Sequence, residues 1–176
     1  MAQVASTEKW TLADGTILTL RPITPADAAI EQALVRGLST DSRYFRFMGT
    51  LRELTPDALV RFTQIDYDRE MAFVAVQRTA AGESEIGVAR YVAEPDGRTC
   101  EFAVVISDKW QHRGLGRRML SLLIDTARDR GLKTIAGSVL RSNTAMLSLA
   151  TLLGFSVSDP GEDSTMHHVA LSLAPG

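Results

Sequence analysis

The chain has 176 residues, a net charge of -2, and 45% hydrophobic against 23% charged residues. That balance fits one globular domain, residues 1–176, and its charge gives no reason to expect nucleic acid as a partner. A single cysteine, Cys100, excludes an internal disulfide framework, and no apolar run reaches the roughly 20 residues of a membrane span. The opening MAQVASTEKW lacks the apolar centre of a signal peptide, so a reducing, cytoplasmic setting is expected. His112, His167 and His168 form no ligand spacing with Cys100, and no metal is expected.

In chain order, WTLADGTILTLRPI holds two short apolar runs around Asp14-Gly15, a hairpin signal. Thr24 then serves as a helix cap, with Pro25 at the first helical position and Asp27 completing a capping box. Ala29, Ala33, Leu34 and Leu38 keep helical spacing behind it. SRYFRFM is aromatic and basic, and its pattern settles no local structure. Thr55-Pro56 repeats the cap-plus-proline start and opens a helix in PDALVRFTQI. EMAFVAVQR, SEIGVARYVAEP and RTCEFAVVIS are strand-like runs separated by Ala81-Gly82 and Asp96-Gly97, which predicts an antiparallel meander. A helix follows from about Leu115 to Arg130, apolar at Leu115, Met119, Leu122, Leu123 and Ala127, with Gly131 just past its end. LKTIAGSVL is a strand, NTAMLSLATLL a helix ended by Gly154, and FSVSD and TMHHVALSL are final strands. The order ββ-α-α-βββ-α-β-α-ββ predicts an α/β (α+β) fold, a mixed sheet with helices on both faces.

The most informative stretch is SDKWQHRGLGRRML, between the last meander strand and the long helix. No P-loop string is present. A dinucleotide fingerprint would need Gly or Ala where Met119 stands, and a βαβ unit in place of the meander. A less demanding reading remains. Backbone N–H groups at a helix start attract an anion, and Gly114 and Gly116 let it approach closely. Arg113, Arg117 and Arg118 add charge, and a pyrophosphate fits such a place. A glycine loop feeding a helix with solvated arginines has the same spacing, and both readings stand. Glu101 is the other conspicuous residue, a carboxylate in mid-strand on a face with Ala103 and Val105. Partial burial would raise its pKa into the range of a useful general base. An ion pair with Arg90, diagonally across on the preceding strand, would lower it. Cys100 faces the other way and reads as a small core residue, and Trp110 as packing for the loop.

QHRGLG resembles the Arg/Gln-x-x-Gly-x-Gly/Ala signature of the GNAT superfamily of N-acetyltransferases. EFAVVISDKWQHRGLGRRML is similar to the fourth strand, pyrophosphate loop and third helix of that fold. VLRSNTAMLSLATLLGF is similar to its fifth strand and Asn-led helix, and LRPITPADA to its first strand and helix. LSTDSRYFRF, DYDREMAFVAV and CEFAVVISDKWQHRGLGRRML resemble the acetyltransferase domain of bacterial Pat-type protein lysine acetyltransferases. That domain is often fused to an acyl-CoA synthetase-like or cyclic-nucleotide-binding region, and no such region is expected in this sequence.

The resemblance implies the GNAT fold, a mixed, mostly antiparallel central sheet flanked by helices and splayed between strands 4 and 5. It implies acetyl-CoA as cosubstrate, with its pyrophosphate on the backbone amides of Gln111, His112, Arg113, Gly114, Leu115 and Gly116, flanked by Arg117. The pantetheine arm would run along Val104, Val105 and Ile106, and Asn143 would touch the cofactor. Glu101 would be the general base, directly or through water, and a backbone N–H near Val104 would polarise the thioester carbonyl. Transfer would be direct, in a ternary complex, to a protein lysine; a small-molecule amine is the alternative acceptor. A non-catalytic acyl-CoA sensor is the alternative in kind, and a monomer or a homodimer is expected. In this fold Tyr44, Phe45 and Phe47 would either line the acceptor cleft or pack in the core. The charged run DYDRE would be either an acidic lip or a solvated loop. Two residues depart from the pattern. His112 stands where many members have Gly, which implies a slightly less compact loop. Ala150 stands where many carry the Tyr that protonates the leaving thiolate, so water or another group must serve.

Overall fold

In the computed structural model, which describes residues 7–159 and 161–174, the strand-like runs join one eight-stranded sheet. The strands are β1 (Glu8–Thr11), β2 (Ile17–Pro22), β3 (Glu70–Thr79), β4 (Gly82–Ala93), β5 (Thr99–Ile106), β6 (Thr134–Leu140), β7 (Ser156–Ser158) and β8 (Met166–Ser172). Their spatial order is β1-β2-β3-β4-β5-β6-β8-β7. The neighbours β5 and β6 run parallel, and every other pair is antiparallel. Residues 1–6, part of the stretch read for a signal peptide, lie outside the described residues.

Helices α1 (Ala28–Gly37), α2 (Thr40–Phe47) and α3 (Pro56–Thr63) come before the meander, α4 (Leu115–Asp129) follows β5, and α5 (Thr144–Leu152) follows β6. Strand alternation divides the core between two faces. Ala72, Val74 and Val76 of β3 pack with Val88, Val105 and the α1 residue Leu34. Met71, Phe73 and Ala75 point the other way, to the buried stripe Leu115, Met119, Leu123 and Ala127 of α4. The capping box at Thr24 is present, but its first turn, Pro25–Asp27, is a 3-10 turn leading into α1. SRYFRFM, left open by the sequence, lies within α2 and its cap. The Ser39 side chain accepts from the Ser42 N–H at the start, and Met48 ends the helix at a left-handed φ of 54°.

One interruption of the sheet positions everything that follows. β5 and β6 pair only where Thr99, Cys100 and Glu101 face Thr134, Ile135 and Ala136. Beyond that point β5 stays with β4, β6 stays with β8, and a wedge opens between them. These are the strands that the family likeness counts fourth and fifth, because β1 precedes its first. Phe102 and Gly137 stand at the parting. A Cβ on Gly137 would lie 2.8 Å from Cε1 of Phe102, whose ring is also held by Phe155 at a centroid distance of 5.3 Å. Gly137→Ala is therefore expected to overpack the parting and lower stability by about 1–3 kcal/mol. The measurement is a fall in the urea midpoint at unchanged m-value.

Candidate active site

On the free edge of β5 the chain runs into a 3-10 turn, Asp108–Trp110, and then into the glycine loop. Two residues of that loop take left-handed backbone, His112 at φ 61° and Gly114 at φ 84°. Glycine adopts this conformation freely, while a side chain is disfavoured there by about 1–2 kcal/mol. His112 thus reaches the geometry that a glycine would reach at lower cost. From Gly114 the chain enters α4, where Arg118 N–H is taken by Gly114 carbonyl at 3.0 Å. The amides of Leu115, Gly116 and Arg117 precede the first intrahelical bond and find no acceptor among the described residues. Together with the helix dipole they give this helix start a positive potential that favours an anion.

The residues that carry these amides line a cavity of about 320 Å³. Its wall includes Val104, Val105 and Ile106 from β5, Gln111, His112 and residues 114–117 from the loop and helix start, and Asn143 from the head of α5. Asn143 is fixed there because its side-chain oxygen caps α5 at Met146 N–H, 3.2 Å away. The structure thus gathers every residue of the expected cofactor set except Arg113. The Arg113 guanidinium lies over the Trp110 ring at 4.9 Å and 3.4 Å from Asp14. Arg118 is also turned outward, to Glu8 at 2.7 Å. The N-terminal hairpin therefore engages two of the three arginines, and Arg117 is left on the cavity wall.

A clasp that the sequence did not disclose joins this loop to α2. The Asp108 carboxylate accepts from Ser39 N–H at 2.9 Å, Ser39 Oγ at 2.7 Å and Ser42 Oγ at 2.7 Å. Gln111 Nε2 donates to Ser42 Oγ and to Ile106 carbonyl, at 3.2 and 3.0 Å. Burial by itself would raise the Asp108 carboxyl. The bonds from Ser39 and Ser42 outweigh burial and hold it below its ordinary value.

A second cavity, about 390 Å³, adjoins the first and holds Glu101 and Ser138. Phe45, Arg46, Val104, Asn143 and Met146 line both. Two expectations for Glu101 are corrected here. It is exposed, not partly buried, at the last residue of β5 that pairs with β6. It also has no ion pair with Arg90. The β4–β5 register does set Arg90 diagonally from Glu101, but the guanidinium turns to Glu31 at 3.4 Å and to Phe62 carbonyl at 3.1 Å.

Of the three aromatics considered, Phe45 lines both cavities, Phe47 lines the second, and Tyr44 lines neither. DYDRE stays away from this cleft: Asp68 and Arg69 border a separate hollow beside Arg130. Cys100 is buried as expected, and burial pushes its thiol up to about 12. Ala150 is fully buried, at 0% exposure.

The helix start, the parted sheet edge and the Glu101 carboxylate thus lie around two adjoining cavities. The family model for the acetyltransferase (GNAT) domain matches residues 18–156. An acetyltransferase of Pseudomonas aeruginosa is 36% identical over 162 residues, 91% of this chain and 87% of that protein. Acetyltransferase Pat of Mycolicibacterium smegmatis is 32% identical over 138 residues, 77% of this chain but 40% of its own length. Among solved structures, the GNAT domain of S. lividans PAT superimposes with a TM-score of 0.83 at 26% identity, covering 94% of this chain and 96% of that one. The chain belongs to the GNAT family of acetyltransferases, enzymes that draw their acetyl group from acetyl-CoA.

Proposed function

We propose that this acetyltransferase moves the acetyl group of acetyl-CoA to a protein lysine side chain by direct attack in a ternary complex, with Glu101 as general base. The carrying observation is that the two cavities meet at Val104 and Asn143, one lined by the start of α4 and the other by Glu101. The residues present fit the donor. Amides of Leu115, Gly116 and Arg117 take the pyrophosphate, and the edge of β5 at residues 104–106, left free where β6 departs, takes the pantetheine arm. That arrangement brings the thioester to the meeting point. A lysine amine has a reference pKa of about 10.4 and attacks only when neutral. Glu101, without an ion pair and open to solvent, is placed to accept its proton directly or through one water. The resemblance of LSTDSRYFRF, DYDREMAFVAV and CEFAVVISDKWQHRGLGRRML to the Pat-type protein lysine acetyltransferases supports a protein acceptor.

The test is a transfer assay with acetyl-CoA against proteins, including acyl-CoA synthetases, alongside free amines, read by mass spectrometry. Acetyl groups on protein lysines are the expected result. Turnover on free amines alone would replace the protein acceptor with a small molecule. Binding of acetyl-CoA with no turnover on any acceptor would leave a sensor in place of an enzyme.

A further inference from the structure

Five residues line both cavities, and Arg46 and Asn143 are the two among them with polar side chains. The Asn143 side-chain oxygen already caps α5. Arg46 is different. Its guanidinium is stacked 4.8 Å from the Phe47 ring centroid and 5.7 Å from that of Phe62. It forms no ion pair among the described residues. The nearby carboxylate Glu31 is already bonded to Arg90. Burial pushes the Arg46 guanidinium down to about 10, Arg90 adding to the shift and Glu31 opposing it, so it is cationic at neutral pH. A stacked cation of this kind, partly desolvated and with no salt bridge among the described residues, is prepared for an anion.

The reaction supplies one at this place. As the amine lone pair forms the N–C bond, the carbonyl π pair moves onto oxygen. As that pair returns, the C–S bond breaks and its electrons leave on the sulfur of CoA. Negative charge thus stands first on oxygen and then on sulfur, and Ala150 offers no proton donor. We infer that Arg46 is a catalytic residue, its positive charge stabilising the oxyanion and then the departing thiolate. The amine proton passes to Glu101, the thiolate takes its proton afterwards from water, and Arg46 keeps its own protons throughout. This inference rests on the acetyl-transfer reading above.

Arg46→Gln and Arg46→Ala test it, with turnover measured on an amine acceptor that carries no carboxylate and acetyl-CoA affinity measured by calorimetry. The expected result is a fall in kcat of about 10²- to 10³-fold, with acetyl-CoA affinity retained and the melting temperature lowered only by the few degrees that losing the stack on Phe47 and Phe62 entails. Added guanidinium ion should restore part of the kcat of Arg46→Ala, but not that of Glu101→Gln. A kcat close to that of the parent overturns the inference. So does a loss of acetyl-CoA affinity that accounts for the whole loss of rate. A defect confined to the KM of carboxylate-bearing acceptors also overturns it, and would assign Arg46 to acceptor selection. A parent protein without turnover on any amine removes the acetyl-transfer reading and this inference with it. A defect in Glu101→Gln but none in Arg46→Gln removes the inference alone.

Discussion

Glu101→Gln is expected to lower kcat for amine acetylation by about 10²- to 10⁴-fold, the usual contribution of a positioned general base. Acetyl-CoA binding should survive intact, because the start of α4 and the edge of β5 at residues 104–106 are built from backbone that this change does not touch. The substitution is also a clean one. Gln keeps the shape of Glu and removes only its capacity to accept a proton. Glu101 is exposed and has no ion pair to lose, so stability should move by no more than about 0.5 kcal/mol. A variant with parental kcat and intact cofactor binding would end the base assignment and leave the fold and donor readings standing. A variant that also loses acetyl-CoA affinity would point instead to a role for Glu101 in shaping the wedge between β5 and β6.

Elements whose partners lie near in sequence were legible. Thr24-Pro25 and Thr55-Pro56 carry their own caps, and the turn at Asp96-Gly97 is closed by Asp96 accepting from the Arg98 and Thr99 amides. The glycine loop leading into α4 was readable for the same reason, since a helix start is marked by its own residues. What stayed hidden depends on distant partners. α2 shows no simple apolar stripe because one side of it faces the cavities, and its first turn is held by Asp108, 69 residues away from Ser39. The charge at the glycine turn was overcounted because Glu8 and Asp14 approach it from the N-terminal hairpin, 110 and 99 residues away. For Glu101, strand alternation gave the correct face, but whether that face is covered depends on how far the helices packed on it reach, and Leu34 of α1 packs with Val105 further along β5. The diagonal rule likewise set Arg90 in the right place and could not weigh Glu31, which arrives on α1.

Arg90→Met is expected to cost about 3–5 kcal/mol of stability at neutral pH, the typical effect of removing one partner from a buried ion pair. Arg90, Glu31 and Glu85 are all buried, at 8%, 2% and 6% exposure. Glu31 Oε2 and both carboxyl oxygens of Glu85 have no hydrogen-bond partner among the described residues. Arg90 is thus the cation that makes this group tolerable. Burial raises the Glu85 carboxyl well above its ordinary value of 4.5; Glu31 raises it further, and Arg90 pulls it back. Because the folded value is the higher one, the contribution of Glu85 to stability is fully present below pH 4.5 and is lost as pH rises through the folded value. Glu85→Gln cannot ionise, so it should flatten that decline and raise the melting temperature at pH 8, by about 2–4 °C for each kcal/mol recovered. Arg90→Met should do the reverse, with its deficit larger at pH 8 than at pH 5, where protonation removes bare charge from the core. Urea unfolding of both variants at the two pH values separates these outcomes. Equal deficits for Arg90→Met at both would mean that Arg90 holds its place by stacking on the Phe62 ring, 4.5 Å from its guanidinium, and by its bond to Phe62 carbonyl, and not by neutralising the carboxylates beside it.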